Sequence, residues 1–118
     1  MSGRRHHAGL AAEEAVARHY EAKGATILER RLRTPEGEID LIAEQGEMII
    51  FVEVKHRKRL GPDSPITQKQ WQRLGLAAEF YMMSGTSMTG ATRMCRFDAV
   101  IVGPDGTFDV LENARIEN

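Results

Sequence analysis

Gly37-Glu38-Ile39-Asp40-Leu41-Ile42, followed after a short gap by Phe51-Val52-Glu53-Val54-Lys55, is the stretch on which the rest of this chain turns. Its pattern predicts two antiparallel strands, Glu38 to about Glu44 and Met48 to Lys55, with Gln45-Gly46 as the turn signal. The second strand is an almost unbroken apolar run from Met48 to Val54, which suits a central strand rather than an edge. A turn centred on Gln45-Gly46 opposes Asp40 to Phe51 and makes Glu53 the diagonal neighbour of Asp40 on one face. Diagonal partners have Cα atoms roughly 7–8 Å apart, so the two carboxylates can share one cation. Lys55, two residues beyond Glu53, points to the same face.

The same register sets Glu38 opposite Glu53, and like charges directly opposed destabilise a sheet. A hard divalent cation resolves that conflict, because Mg²⁺ takes oxygen ligands and commonly uses one or two carboxylates with water and phosphate. The plainer alternative is a solvated polar face carrying a Glu-Lys pair.

Working outward, Gly9 to Lys23 reads as a helix stopped by Gly24. At about 100° per residue, Leu10, Val16, Ala17 and Tyr20 form an apolar stripe with Glu13 in its middle. A carboxylate there should not survive unpaired: either it snorkels at an edge position, or it points from the helix toward the hairpin carboxylates. Ala25 to Arg33 is a strand, turned by Thr34-Pro35-Glu36-Gly37 into the hairpin. Thr67 to about Ser84 is a second helix, with Ile66, Leu74, Ala77, Ala78 and Tyr81 on its apolar face and Lys69, Gln70 and Arg73 in its first turns. Trp71 fits the core better than a base-stacking platform. Cys95 to Val102 and Thr107 to Leu111 are two further strands, with Asp98 read as structural support. His56 to Pro65 is a polar loop, and Gly85 to Thr92 a flexible linker. Residues 1–8 are expected as a disordered tail, 9–112 as a single domain and 113–118 as a C-terminal tail.

With 118 residues and a formal net charge of −1, the chain is one domain and, by overall charge, no general nucleic-acid binder. The charge distribution says more. Glu36 to Glu53 holds six acids and no base, and basic residues flank it: Arg30, Arg31 and Arg33 before, Lys55, Arg57, Lys58 and Arg59 after. That fits a cation site bordered by phosphate contacts, with solvated loops as the competing reading. A single cysteine, Cys95, excludes an internal disulfide and a cysteine metal cluster. No apolar run spans a membrane and no secretory signal opens the chain, so a cytoplasmic location is expected.

Asp40 … Glu53-Val54-Lys55 resembles the D…(D/E)-x-K signature of the PD-(D/E)XK nucleases. The fuller strings around it, together with Gly9, Glu13, Gly24 and Arg96-Phe97-Asp98, resemble the YraN-like family of small bacterial proteins, related to archaeal Holliday junction resolvases. The resemblance spans about Gly9 to Val102. It implies an α/β fold, the restriction-endonuclease-like αβββαβ core with a central mixed sheet flanked by helices. It further implies a Mg²⁺- or Mn²⁺-dependent endonuclease, or a structure-selective DNA-binding protein, acting on branched or single-stranded DNA in repair or recombination. Asp40, Glu53 and Glu13 would hold the metal, aided by the Val54 carbonyl. Lys55 would orient the attacking water, and Gln70, or Lys69 after a one-residue shift, would stand near the site. Arg33, Arg57, Lys58, Lys69 and Arg73 are the candidate nucleic-acid contacts. Paired symmetric cuts would require a homodimer. The alternatives are a catalytically silent binding module or adaptor with the same fold, and cleavage of RNA instead of DNA.

Overall fold

The computed structural model describes residues 3–57, 66–84 and 94–115. The element order is α1 (Gly3–Ala22), β1 (Thr26–Thr34), β2 (Gly37–Gln45), β3 (Met48–His56), α2 (Gln68–Met83), β4 (Met94–Val102) and β5 (Phe108–Leu111). The five strands form one sheet in the order β1-β2-β3-β4-β5, antiparallel throughout except for the parallel β3–β4 pair. Only a crossover can join parallel neighbours, and α2 lies in the segment that provides it.

β3 is central because it can be buried on both faces. Ile49, Ile50, Phe51 and Val52 are all buried, and alternation sends them to two different cores. Ile49 and Phe51 join Trp71, Leu74, Ala77, Ala78 and Tyr81 beneath α2. Ile50 and Val52 join Val16, Ala17 and Tyr20 beneath α1. The sheet is therefore sandwiched between the two helices, as the αβββαβ order requires. Trp71 belongs to the core.

Helix ends follow local chemistry. α2 is capped by Thr67, whose side chain accepts from the Gln70 N–H while the Gln70 side chain accepts from the Thr67 N–H, a complete capping box. α1 ends in a Schellman motif: the Gly24 N–H donates to the Glu21 carbonyl and the Ala25 N–H to the Tyr20 carbonyl, both at 3.0 Å.

Three expectations are corrected. α1 begins at Gly3 rather than Gly9, so most of the segment taken for a tail is helical; nothing in Arg4 to Ala8 breaks a helix. Residues 113–115, the described part of the expected C-terminal tail, are tied to the sheet. The Ala114 N–H donates to the Phe97 carbonyl at 2.8 Å, and the Arg115 guanidinium lies 4.8 Å from the Phe97 ring centroid. Finally, the β2–β3 turn is Gly46-Glu47, with Gln45 paired to Met48. Gly46 has φ +60°, the positive φ that a II′ hairpin turn demands at its first central position. Gly46 thus leads the turn instead of closing it. The shift moves the register by two residues, keeping the faces and changing every cross-strand partner.

Candidate functional site

The corrected register brings the acids closer than expected. Leu41 pairs with Val52 and Ile42 with Phe51, so continuing the ladder by one step sets Asp40 directly opposite Glu53 rather than diagonal to it. Glu38, expected to face Glu53, instead pairs with Arg33 of β1. That last Asp40–Glu53 step is not a ladder pair. The β2–β3 ladder stops at Leu41–Val52, and the β1–β2 ladder runs from Arg30–Leu41 to Leu32–Ile39, passing over Arg31 and Asp40. One row of the sheet, Arg31–Asp40–Glu53, is therefore interrupted on both sides of Asp40.

Two features account for the interruption. The Val54 N–H donates to Asp40 Oδ2 at 2.7 Å, so a side chain stands where a β2 carbonyl would. Arg31 has φ +51°, a left-handed conformation that costs a non-glycine residue on the order of 1–2 kcal/mol. The face alternation breaks at the same place. Ile39 packs under α2, whereas Leu41, two residues on, packs under α1. Asp40 thus sits at a kink in β2, within reach of both faces.

On the α2 face, Glu53 follows Phe51 by alternation. Burial, and then the charge of Asp40 and a shared hydrogen bond with it, push the Glu53 carboxyl up to about 8, against the pull of Arg73 and Lys55. Burial also raises Asp40, opposed by the Val54 N–H and by the hydrogen bond from Glu53. The shared hydrogen bond lowers Asp40 and raises Glu53, so the two carboxyls titrate as a pair in which Glu53 is the harder to ionise. Arg73 reaches this face across Gly37. Its Cδ passes 3.1 Å from where a Cβ on Gly37 would stand, and Gly37 has φ +137°, so glycine serves both the turn and the arginine.

On the α1 face, Glu13 is engaged by Arg31, whose Nε donates to Glu13 Oε1 at 2.8 Å. Glu14 pairs with Arg30. Glu13, Glu14, Arg30, Arg31 and Asp40, with Leu10 and Leu41, line a cavity of about 130 Å³. Glu13 raises the Asp40 carboxyl through its charge, so the two acids sense each other, but the partner of Glu13 is Arg31. Among the described residues no three His, Cys, Asp or Glu side chains are grouped closely enough to hold a metal ion. The candidate ligand set reduces to Asp40 and Glu53. Their chemistry fits a hard divalent cation: two adjoining carboxyls, each raised by burial, offer the oxygen ligands that such an ion takes.

The remaining candidates fall in different places. The Gln70 side-chain oxygen is occupied at 2.8 Å by the Thr67 N–H of the capping box, because Gln70 is the third residue of α2. Lys69 is exposed in the first turn of that helix. Arg33 is almost fully exposed, 3.9 Å from Glu38. Arg57 and His56 line a separate, wider groove of about 680 Å³ between α1 and the β4–β5 turn. Lys58 lies outside the described residues. The sequence reading did not single out Arg31: its left-handed backbone leaves no mark in composition or periodicity, and the only visible signal was its place in the basic run before the hairpin.

Strand order, the parallel β3–β4 pair and an acid pair at a kink beside the central strand define a restriction-endonuclease-like α/β protein. No helix among the described residues is long and apolar enough to cross a membrane. The model of the uncharacterised protein family UPF0102 matches residues 12–102, and the chain belongs to that family, the YraN-like proteins. It is 45% identical over 97 residues to a UPF0102 protein of Rhodopseudomonas palustris strain HaA2, covering 81% of this chain and 74% of that one. It is 41% identical over 117 residues to one from Cereibacter sphaeroides strain ATCC 17025, covering 97% of both. A third, from Hahella chejuensis strain KCTC 2396, is 44% identical over 97 residues, 79% of this chain and 75% of that protein.

Proposed function

We propose that this protein is a divalent-cation-dependent endonuclease, hydrolysing phosphodiester bonds in DNA of branched or single-stranded form. The observation that carries it is the Asp40–Glu53 pair: two adjoining carboxyls at a kink in the sheet, one of them fixed by the Val54 N–H and both raised by burial. Perturbed acids with a named charge partner in a cleft mark functional sites more often than structural ones. Asp40 and Glu53 would hold Mg²⁺ or Mn²⁺, which when bound supplies a water of lowered pKa and neutralises charge on the phosphate. The Val54 N–H fixes the Asp40 carboxylate in place. Lys55, two residues along β3 from Glu53, stabilises the negative charge that develops on the phosphate and orients the attacking water. Arg73, held over Gly37 and acting on Glu53, guards the α2 side of the pair. Hydrolysis adds the water oxygen to phosphorus and breaks one P–O ester bond, leaving a phosphate monoester and a hydroxyl. One chain carries one such site, so symmetric cuts on two strands need two copies.

A second reading, a binding module without chemistry, is favoured by the absence of a third grouped carboxylate among the described residues. The two part company in one set of measurements. Calorimetric titration with Mg²⁺ and Mn²⁺ should show micromolar-to-millimolar binding by the wild type, about the range of many carboxylate sites, and loss of most of it in Asp40→Asn. Equal heats from both proteins remove the cation site. A panel of branched, flapped, single-stranded and linear DNA then tests cleavage. Cutting that Lys55→Ala abolishes while DNA binding persists supports the nuclease. Cation-independent binding of branched DNA with no cutting by either protein supports the module.

A further inference from the structure

We propose that Arg31 is the phosphate-binding side chain of this site, kept in position by Glu13, and that its ligand is a phosphodiester oxygen of a nucleic-acid strand. The proposal rests on reading Asp40 and Glu53 as the cation site and adds the group that receives the substrate's charge.

Three observations converge on Arg31. Its backbone is left-handed, φ +51°, in the middle of an edge strand whose ladder with β2 continues before and after it, with one irregularity between Ile27 and Glu29. Strain of this kind persists only where surrounding structure enforces it, and it concentrates where a side chain must be aimed. An ordinary β conformation would restore the Arg31–Asp40 rung and swing the side chain away from its present position. Second, Glu13 takes only Nε. A guanidinium carries five N–H donors, and the four on its terminal nitrogens have no hydrogen-bond partner among the described residues. The Glu13 contact at 2.8 Å, to a carboxylate whose side chain is 20% exposed, sets the plane of the fork and leaves its outer edge open. Third, that edge borders the cavity of about 130 Å³ that Asp40 also lines. At about 30 Å³ per water in the liquid, the cavity has room for roughly four waters. A phosphoryl group fits such a space, and the charged lining of Arg30, Arg31, Glu13, Glu14 and Asp40 suits it better than an apolar base.

The neighbouring arginines do not compete for the role. Arg30 lines the same cavity but commits a terminal nitrogen of its fork, Nη1, to Glu14, whereas Arg31 keeps both terminal nitrogens; Arg33 extends into solvent with 90% of its side chain exposed. Arg31 and Asp40 line the same cavity on the α1 face, so a phosphate seated there beside a cation held by Asp40 has an arginine next to it. Guanidinium forks bind phosphate oxygens in pairs. A purely structural Arg31–Glu13 link is the alternative. An ion pair that exposed contributes little, less than the backbone strain it would have to offset.

The test is fluorescence anisotropy of labelled branched DNA with Ca²⁺ in place of Mg²⁺, over a series of KCl concentrations, using the full chain. Arg31→Gly is expected to bind about tenfold more weakly and to lower the slope of log affinity against log salt by about 1, one phosphate contact. Glycine accepts the left-handed backbone, so its melting temperature should equal or exceed that of the wild type. Glu13→Gln removes the carboxylate that holds Arg31 but leaves the Arg31 charge in place: a few-fold weaker binding with an unchanged salt slope. Arg30→Ala is the control, with a smaller loss than Arg31→Gly. If Arg31→Gly binds DNA with wild-type affinity and slope while calorimetry shows normal Mg²⁺ uptake, Arg31 has no phosphate role and the acid pair stands. If the variant melts well below the wild type, the link is structural and the proposal fails. Absence of Mg²⁺ uptake by the wild type is the separate failure of the cation site itself.

Discussion

Asp98 on β4 and the Asp40–Glu53 pair on β2 and β3 are carboxylates set into the same sheet, but their surroundings differ in kind. Asp98 is fully buried and accepts four hydrogen bonds: from the Tyr20 hydroxyl at 2.7 Å, from Arg96 Nε and Nη2 at 2.9 Å each, and from the Asn113 N–H at 2.9 Å. The arginine binds it with both arms of the fork, and the other donors come from α1 and from the chain after β5. Asp40 and Glu53 receive one backbone N–H and share a hydrogen bond. A buried acid with a full set of donors ties elements together. A half-buried acid pair with one backbone N–H donor among the described residues is open to a ligand that supplies positive charge. The contrast separates structure from candidate function without reference to motif.

The largest effect belongs to the satisfied site. Asp98→Ala leaves Arg96, 19% exposed, without its main partner, and frees the Tyr20 hydroxyl and the Asn113 N–H. Removing one partner of a buried ion pair costs about 3–5 kcal/mol, much of a typical domain's stability. Urea denaturation should show a collapse of the midpoint. A loss below about 1 kcal/mol would mean that water replaces the carboxylate and that the two sites are not different in kind.

The unsatisfied site should respond in the opposite direction. The Glu53 carboxyl is raised from 4.5 to about 8, so between those values the folded state holds a proton that the unfolded state has released. Its stabilising contribution is complete below pH 4.5 and is lost as pH rises through about 8. Without divalent ions, stability should fall from pH 5 to pH 8.5 by on the order of 2 kcal/mol, roughly 10 °C in Tm. Mg²⁺ at pH 8.5 should recover most of it by linkage. In Asp40→Asn burial still raises Glu53 but the added push of the Asp40 charge is gone, so the slope should lessen and the variant should be the more stable protein at pH 8.5. A wild-type Tm that is level across this range, with or without Mg²⁺, removes the proposed frustration.

The sequence carried much of the fold because its strongest signals were local. The apolar run of β3, Gly24 after α1 and Thr67 before α2 each act within a few residues, and each does in the structure what its chemistry predicts. The register was harder. Gln45-Gly46-Glu47 admits two turns, and only the positive φ of Gly46 at the first central position selects between them. Asp40, Glu53 and Lys55 were legible as a candidate set because strand alternation relates residues in one hairpin. Arg31 was not, since no residue type announces a left-handed arginine. The Asp98 network was equally hidden: Tyr20 and Asp98 are 78 residues apart. Gly75, an apparent weakness within α2, is explained by a residue from the far end of the chain. The Arg115 guanidinium lies within 2.6–2.8 Å of where its Cβ would be, so any side chain there would displace it.

The smallest predicted effect tests how evenly the Asp98 site is built. Tyr20→Phe removes one of four hydrogen bonds and retains the ring that packs under α1 with Val16, Ala17 and Val100. The Tyr20 phenol is raised above its ordinary range by burial and by Asp98, so it remains a donor at any pH where the protein is folded. Arg96 and the Asn113 N–H continue to satisfy the carboxylate, and the loss should be about 1–2 kcal/mol, the worth of one hydrogen bond to a charged group. It should appear as a shift of the urea midpoint at constant m. A loss as large as that of Asp98→Ala would make the α1 contact the keystone, with Arg96 unable to hold the acid alone. The network would then be a single long-range tie, and α1, which also carries Glu13, would be positioned over the cavity chiefly by Tyr20.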